Sequence, residues 1–452
     1  VLYGGAAGGG KSHLKRVAAI VWALEVPGLQ IYLFRRTYPE LLKNHMEGPS
    51  GFPVLLKELI ETGWARINWS DLVISFKSGS KIFLCHCQYP KDVYKYQGAE
   101  MHVLMIDELT HWPREMYAFL RSRVRMAGLT VPEKYEGLFP RILNGSNPGG
   151  IGHNWVKAAW IDPQPALSVW RAAREDGGML RQYIPARLAD NPSIHDPEQY
   201  KAQLAGLGNP ALVRAMEDGD WNIVAGGMFD DLWRPEVHVV EPFEIPRSWR
   251  IDRSLDWGSS KPFSAGWWAE SDGTEATLRD GSRRSWSRGT LFQIMEHYGW
   301  NGQPNEGCRK LASEVAREVV AMEKEMPWGS RVRPGPADNA IFDETDGVCI
   351  ARDFSRHGVT WTRSEKSPGS RKVGAEKIRG RLKASLKGPI EEPGLFVFQG
   401  CRHSIRTIPT LPRDDRDQDD VNSDAEDHAY DMWRYRIVSG GASAGSSSLP
   451  WG

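Results

Sequence analysis

Cysteine is scarce in this sequence and poorly placed for cross-linking. Cys85, Cys87, Cys308, Cys349 and Cys401 are the only five in 452 residues, an odd number with no CxxC pair. That excludes a disulfide framework and suits a reducing, intracellular compartment. Cys85-His86-Cys87 is the one cluster, but no second ligand group lies at zinc spacing, and Ser80-Lys81-Ile82-Phe83-Leu84 before it alternates like a strand. It reads as strand residues. Long hydrophobic runs are missing as well: nothing approaches the roughly 18 consecutive apolar residues that a membrane span needs. Net charge is absent, with 57 Lys and Arg against 57 Asp and Glu. A passive DNA binder is usually basic overall, although acidic metal sites offset basic grooves locally, so balance does not exclude DNA. Nothing at the start resembles a secretory leader. Val1-Leu2-Tyr3-Gly4 has no initiator Met and runs directly into a glycine-rich loop, so an upstream segment is expected.

The length suffices for two cores, since single cores stop growing near about 250–300 residues. Short apolar runs at Gln30 to Phe34, Lys81 to Leu84, Val103 to Ile106 and Ile142 to Leu143 alternate with amphipathic stretches such as Lys11 to Leu24 and Pro53 to Glu61. That alternation predicts a parallel sheet with crossover helices. From about Pro163 the chain turns Pro- and Asp-rich, Glu198 to Asp218 reads as a helix, and Gly226-Gly227 followed by Pro235, Pro242 and Pro246 reads as a connector. A second alternating region starts near Trp249. There Arg250 to Leu255 and Ala265 to Trp268 read as strands, whereas Gly289 to Tyr298, Cys308 to Glu325 and the basic Val373 to Lys387 read as helices. The Gly/Ser-rich end from Ser439 to Gly452 reads as a tail.

Gly5-Ala6-Ala7-Gly8-Gly9-Gly10-Lys11-Ser12 matches GxxxxGK[ST]. Glycines let backbone N–H groups approach phosphate oxygens, Lys11 would reach the β- and γ-phosphates, and Ser12 would hold Mg²⁺. A strand end precedes the loop and a helix opens after it, as anion binding at a helix N-terminus requires. Gly5, Gly8 and Gly10 are the loop glycines assigned to the nucleotide. Val103-Leu104-Met105-Ile106-Asp107-Glu108 delivers two carboxylates at the C-terminal end of an apolar strand, where open α/β sheets bind ligands. Asp107 would hold the Mg²⁺ of ATP and Glu108 would activate the attacking water. After a third strand, Asn147 in Asn144-Gly145-Ser146-Asn147 would sense the γ-phosphate. Arg35, Arg36, Arg121, Arg123 and Arg125 are candidates for the positive charge at the transferring phosphate.

The second region carries separated acids: Asp256 in a strand pattern, Asp338 after an apolar approach, and Asp427 and Asp431 four apart at a helix start. Carboxylates from separate elements suit two Mg²⁺ or Mn²⁺ ions, the arrangement that cuts phosphodiesters. Each acid alone has a plainer reading, as a turn residue or a solvated face.

Together these motifs resemble the large terminase subunit of tailed bacteriophages, over nearly the whole chain. Tyr3 to Ser12, Val103 to Glu108 and Asn144 to Gly150 look like that family's Walker A, Walker B and coupling motifs, in order. Phe34 to Leu41 and Trp221 to Trp233 are similar to further family segments. Leu255 to Gly258, Ala337 to Asn339 and Glu426 to Asp431 resemble the acidic motifs of its ribonuclease H-like nuclease. The resemblance implies an α/β chain: a P-loop ATPase domain of the additional-strand, catalytic-glutamate type over 1–225, a connector over 226–247, a ribonuclease H-like nuclease domain over 248–438 and a tail over 439–452. It implies ATP with Mg²⁺ at Ser12 and Asp107, and two Mg²⁺ or Mn²⁺ ions at Asp256, Asp338, Asp427 and Asp431. Glu108, Asp256, Asp338 and Asp431 are then the catalytic set; His428 reads either as orienting a ligand or contacting phosphate, or as a plain helix-face histidine. Implied partners are double-stranded viral DNA, a portal protein and a small terminase subunit, with a homo-oligomeric ring on the capsid and no membrane. The implied location is the host cytoplasm, transiently at the procapsid portal, outside the mature virion. Two departures stand out: Ala6 and Ala7 replace an arginine that many relatives carry in the loop, and Gln97-Gly98 stands where some carry Arg-Gly. The arginine finger is therefore left unassigned.

The main alternative is a P-loop helicase or remodelling ATPase whose second domain binds DNA without cutting it. A non-catalytic scaffold with a decayed loop is a further one, opposed by intact Lys11, Ser12, Asp107 and Glu108. The cations from Arg371 to Lys387 are read either as a DNA-backbone track or as a solvated helix face.

Overall fold

A computed structural model of the chain describes residues 1–6, 8–126, 128–187, 190–191, 196, 199, 202, 219–221, 227–344, 349–387, 391–414 and 416–439. The chain divides into two compact units, Val1–Ala225 and Gly226–Gly452.

In the first unit the apolar runs form the middle of a nine-stranded sheet ordered β3-β4-β5-β2-β6-β7-β1-β9-β8. Here β1 is Leu2–Gly5, β2 Gln30–Arg35, β3 Ala65–Asn68, β4 Val73–Phe76, β5 Lys81–His86, β6 Val103–Asp107, β7 Arg141–Ser146, β8 Val169–Arg171 and β9 Leu180–Ala186. From β5 to β9 neighbouring strands are parallel, and antiparallel pairs close both edges. The two-residue period of a strand sorts side chains between two cores. Ile31, Leu33, Val103 and Met105 join one core with Ala19 and Ala23 of the helix α1 (Lys11–Glu25), while Phe34, Leu104 and Ile106 join the other with Trp112. Both faces being covered is the condition under which parallel strands read as near-continuous apolar runs. Because β1, β2, β6 and β7 are parallel, Gly5, Arg35, Asp107 and Ser146 end at one edge of the sheet. Cys85 and His86 lie within β5, and all five cysteines are free. The stretch expected as one helix from Pro53 to Glu61 is two short helices, Phe52–Leu55 and Lys57–Glu61, broken at Leu56.

The second unit is built on a mixed sheet ordered β10-β19-β15-β12-β11-β17-β18, with β16 also pairing β11. These strands are β10 Val239–Val240, β11 Arg250–Asp256, β12 Ser264–Glu270, β15 Leu291–Tyr298, β16 Val332–Arg333, β17 Pro336–Ala337, β18 Thr362–Arg363 and β19 Leu395–Phe398; β13 (Ala276–Thr277) and β14 (Arg283–Arg284) form a separate hairpin. β11, β12 and β15 are antiparallel, and β17 lies parallel to β11 on its other side.

One expectation fails here. Gly289 to Tyr298, read as a helix, is strand β15, paired with β12 on one side and β19 on the other. Leu291, Phe292, Gln293 and Ile294 are all buried, and a run buried on both faces has no period by which to tell strand from helix. The helix expected from Cys308 starts later, as Ala312–Glu325, and the basic helix runs Ser370–Ser385. All of the helix expected over Glu198 to Asp218 except Gln199 and Ala202, and most of the Gly/Ser tail, lie outside the described residues.

The terminal helix His428–Ser439 is almost wholly buried, including Trp433, Arg434 and Arg436. It lies on β11 and β12: Ser254 donates its hydroxyl to the Met432 carbonyl at 2.9 Å, and Trp433 Nε1 donates to Gln293 Oε1 at 2.7 Å. Gly266 admits Met432, whose Sδ would lie 2.4 Å from a Cβ at that position. Arg436 is neutralised by Asp252 and by Glu270 at 2.7 Å, as buried cations require. This packing sets Asp427 and Asp431 beside the end of β11. Among the described residues no helix is long and apolar enough to cross a membrane.

Candidate functional site

In the first unit, the loop after β1 turns through positive φ at Gly5, Gly8 and Gly10, conformations that glycine adopts without steric cost. Gly9 packs so closely on Ala186 that a Cβ there would lie 2.8 Å from the alanine methyl. Gly10 precedes α1 with no side-chain cap, which leaves the helix's first N–H groups open toward the loop. The Lys11 ammonium folds back to the Ala6 carbonyl at 2.5 Å, and burial lowers its pKa, opposed by the nearby Glu108 carboxylate. Ser12 Oγ lies 3.1 Å from Asp107 Oδ2. Glu108 takes a left-handed conformation, φ 49 and ψ 62, at the turn after β6. Ser146 and Thr110 join the ends of β7 and β6, Oγ to Oγ1 at 2.8 Å, and Asn147 accepts from Thr110 through its carbonyl at 3.0 Å.

Asp107 is the hub of this site, and most of its partners were not anticipated from the sequence. It is 1% exposed and receives Lys15 on Oδ1, with Arg35 and His45 Nε2 (3.1 Å) on Oδ2. Burial works against ionisation, but Lys15, His45 and Arg35 hold the carboxyl well below its usual range. Burial lowers the His45 pKa. The neighbouring Asp107 opposes that shift, and the ring lies with Nε2 against Asp107 and Nδ1 3.5 Å from Arg16. Of the finger candidates, Arg35 is bound to Asp107. Arg36 donates to the Gln88 carbonyl, Arg121 to the Asp176 carbonyl and Arg123 to the Gln97 carbonyl, while Arg125 faces Glu100 at 3.8 Å.

In the second unit, Asp256 ends β11, Asp338 follows β17, and Asp431 lies in the first turn of the terminal helix. All three line one cavity of about 570 Å³, together with Lys366, Arg371 and Tyr435. Asp427 immediately precedes that helix, and its carbonyl accepts from the Asp431 N–H at 2.9 Å. Burial and then the Asp431 charge push the Asp427 carboxyl up to about 8; burial, eased by His428, leaves Asp256 at about 6. Burial lowers the His428 pKa, but its hydrogen bond to Asp256 and the surrounding acids prevail and raise it. Asp338 shares Oδ1 between the Ala340 N–H at 3.0 Å and the Lys366 ammonium at 2.5 Å. Arg371 bridges Asp420 at 3.1 Å, Asp427 at 3.6 Å and Asp431 at 3.6 Å. Among the described residues no three His, Cys, Asp or Glu side chains already form a metal-ligand group; the cations Lys366 and Arg371 engage the carboxylates instead. The all-oxygen donor set and the mutual repulsion of these acids nonetheless suit a hard divalent ion.

The basic helix is largely committed within its own unit. Besides Arg371, Lys372 pairs with Asp417 at 2.7 Å, Arg379 with Asp231 at 2.5 Å and Lys387 with Glu392 at 3.6 Å, while Arg381 donates to the Gly289 carbonyl. Burial lowers Arg381 to about 10. Five of the seven cations from Arg371 to Lys387 are thus engaged within this unit.

A family described as terminase large subunit, T4likevirus-type, N-terminal, matches residues 2–234. The chain belongs to the terminase large subunit family. No curated protein matches. Among solved structures, the large terminase of a thermophilic bacteriophage is similar at 15% identity, covering 97% of this chain and 92% of that one, with a TM-score of 0.39. The P22 large terminase nuclease domain is similar at 12% identity over 47% of this chain and 92% of that one, TM-score 0.33. The Thermus phage P74-26 large terminase ATPase domain is similar at 16% identity over 49% of this chain and 87% of that one, TM-score 0.31. The fold of this terminase chain is mixed α/β throughout, as its alternating apolar runs predict.

Proposed function

We propose that this chain hydrolyses ATP in its first unit to drive viral DNA into a procapsid, and cuts concatemeric DNA in its second. The first unit is read as a P-loop ATPase domain and the second as a ribonuclease H-like nuclease domain. In the first, Lys11 and the loop N–H groups bind the phosphates, Ser12 and Asp107 hold the accompanying Mg²⁺, and Asn147 faces the γ-phosphate end. Glu108 accepts the proton of the attacking water. In the second, Asp256, Asp338 and Asp431, with Asp427, hold two Mg²⁺ or Mn²⁺ ions. Such ions supply an activated water and stabilise the leaving oxygen of a phosphodiester. His428 holds one oxygen of Asp256 so that the carboxylate keeps its orientation.

The observation that carries this reading over a helicase with a merely DNA-binding second domain is the convergence of Asp256, Asp338 and Asp431, from three separate elements, on one cavity. A DNA-binding surface has no use for three inward carboxylates. Portal protein, small subunit and a ring of copies are proposed as partners, and the host cytoplasm at the procapsid as the place of action. The test measures ATP turnover and Mn²⁺-dependent plasmid cleavage by the full chain. Asp256→Ala should abolish cleavage and spare turnover, and Lys11→Ala should abolish turnover. A wild-type chain that turns over ATP without ever cutting would favour the helicase reading, and cleavage that survives Asp256→Ala would remove Asp256 from the cutting site.

A further inference from the structure

Lys15 stands four residues after Lys11, so both ammonium groups rise from one face of α1. Lys11 turns to the phosphate loop; Lys15 turns beneath it to Asp107, and both members of that pair are 1% exposed. An ammonium this deep needs its partner. It also needs space, which Gly145 provides: a Cβ at position 145 would lie 2.1 Å from Lys15 Nζ. The two oxygens of Asp107 are not treated alike. Among the described residues, Lys15 is the one cation on Oδ1, while Arg35 and His45 both pull on Oδ2. Simple neutralisation would not need a lysine, because Arg35 already supplies a charge. Lys15 differs from Arg35 in its origin: it comes from the helix that carries Ser12, three residues further on, and so ties β6 to that helix. Ser12 Oγ lies against both oxygens of Asp107, 3.1 Å from Oδ2 and 3.4 Å from the Oδ1 that Lys15 holds.

We propose that Lys15, seated through the bare α-carbon of Gly145, is a positioning residue that keeps Asp107 against Ser12 for the Mg²⁺ accompanying the nucleotide. The proposal rests on the nucleotide reading above. Without Lys15, the cationic and imidazole partners left to the carboxylate are Arg35 and His45, both on Oδ2 and neither carried by α1.

The experiment is ADP binding to the full chain by calorimetry, once with Mg²⁺ and once with EDTA, in wild type, Lys15→Met, Gly145→Ala and Lys11→Ala. Residues that orient a metal ligand are worth about 10–100-fold in metal affinity. Lys15→Met should therefore cut the Mg²⁺-dependent gain in ADP affinity by about tenfold or more, leaving the EDTA affinity within about twofold. Gly145→Ala keeps every charge and should give the same loss by expelling the amine, which covers the case in which Lys15→Met does not fold. Equal losses with and without Mg²⁺ would mean a structural role and overturn the proposal. An unchanged Mg²⁺ gain, or a larger one, would overturn it too, the larger one marking Lys15 as a competitor of the ion. Lys11→Ala separates the two failures: if it still binds ADP as wild type does, the nucleotide reading falls; if it loses ADP while the Lys15 and Gly145 variants keep the Mg²⁺ gain, only this proposal falls.

Discussion

His428 Nδ1 lies 3.2 Å from Asp256 Oδ2, joining the start of the terminal helix to the end of β11. The other ring nitrogen, Nε2, lies 3.0 Å from Asn305 Oδ1, so the ring is fixed from both ends. Tyr435 reaches the remaining Asp256 oxygen only at 3.5 Å. His428 is therefore the partner that draws Asp256 down from where burial would otherwise put it. Replacing it should raise the Asp256 pKa above about 6. A protonated carboxyl does not ligate, so the pH at half-maximal Mn²⁺ binding should move upward in His428→Ala, by about a unit if a hydrogen bond to a charged group is worth about 1.5–3 kcal/mol and part is recovered by solvent. Mn²⁺ titrations across about pH 5–9, the range spanning both raised carboxyls, give the shift; identical profiles would reduce His428 to a helix-face residue.

The acid cluster also sets a pH dependence for the ion-free chain. Asp427 at about 8 and Asp256 at about 6 lie above the roughly 3.9 of an unfolded aspartate. Groups raised on folding bind protons more tightly when folded, so their contribution is complete below about pH 4 and is lost as pH rises through about 6 and then about 8. The melting temperature in EDTA should fall by several degrees between about pH 5 and pH 8.5, at about 2–4 °C for each kcal/mol in a unit of this size. Asp427→Asn should flatten that fall. A wild-type curve that is level, or a mutant curve that falls just as far, would contradict the assignment.

The glycine-rich loop before α1 and the Asp107-Glu108 strand end were legible because they are local: glycines, a lysine and an apolar strand lie contiguous in the text. The parallel sheet was legible for the same reason, through runs such as Val103 to Ile106 that are buried on both faces. The same property misled at Leu291 to Tyr298, where an unbroken run hides its period and pairing with β12 and β19 decides. In the acid site, Asp256, Asp338 and Asp431 were visible as residues, but only the fold brings them to one cavity. Their cationic partners were not visible as such. Lys366 sits in a loop without a motif, and Arg371 looked like part of a basic stripe because charge along a helix says nothing about the acids folded against it. Lys15 left one faint signal, its i+4 spacing from Lys11 on the face that continues through Ala19 and Ala23.

Arg371 is 31% exposed and faces the cavity among Asp420, Asp427 and Asp431, unlike Lys15, which lies behind its carboxylate. On the proposed two-ion reading, a cation in that position stands where a divalent ion would be bound and must yield to it. Arg371→Gln should therefore weaken the ion-free chain, by about 1–3 kcal/mol given partial solvent screening. It should also tighten Mn²⁺ binding by about tenfold, the effect of removing a like charge from the site. Melting in EDTA and Mn²⁺ calorimetry on the same variant read the two effects. Loss of stability with weaker Mn²⁺ binding would instead make Arg371 a residue that assembles the carboxylates.

Glu108 departs from the ordinary backbone regions, with φ 49 and ψ 62 immediately after the buried β6. A left-handed conformation costs a residue with a Cβ about 1–2 kcal/mol, and glycine almost nothing. A glutamate kept there, beside Lys11, is retained against local stability, which is the pattern expected where the side chain is needed for chemistry. Two substitutions separate the chemistry from the backbone. Glu108→Gln keeps size and conformation but cannot take a proton, so ATP turnover should drop about 10²–10⁴-fold with ADP affinity nearly unchanged. Glu108→Gly should lose turnover equally while melting no lower than wild type, because relief of strain offsets the added freedom of the unfolded chain. Turnover assays and thermal melts on both variants decide it: a Glu108→Gln chain that hydrolyses ATP at the wild-type rate would remove Glu108 from the reaction, and a Glu108→Gly chain several degrees less stable would show that the turn depends on the glutamate side chain.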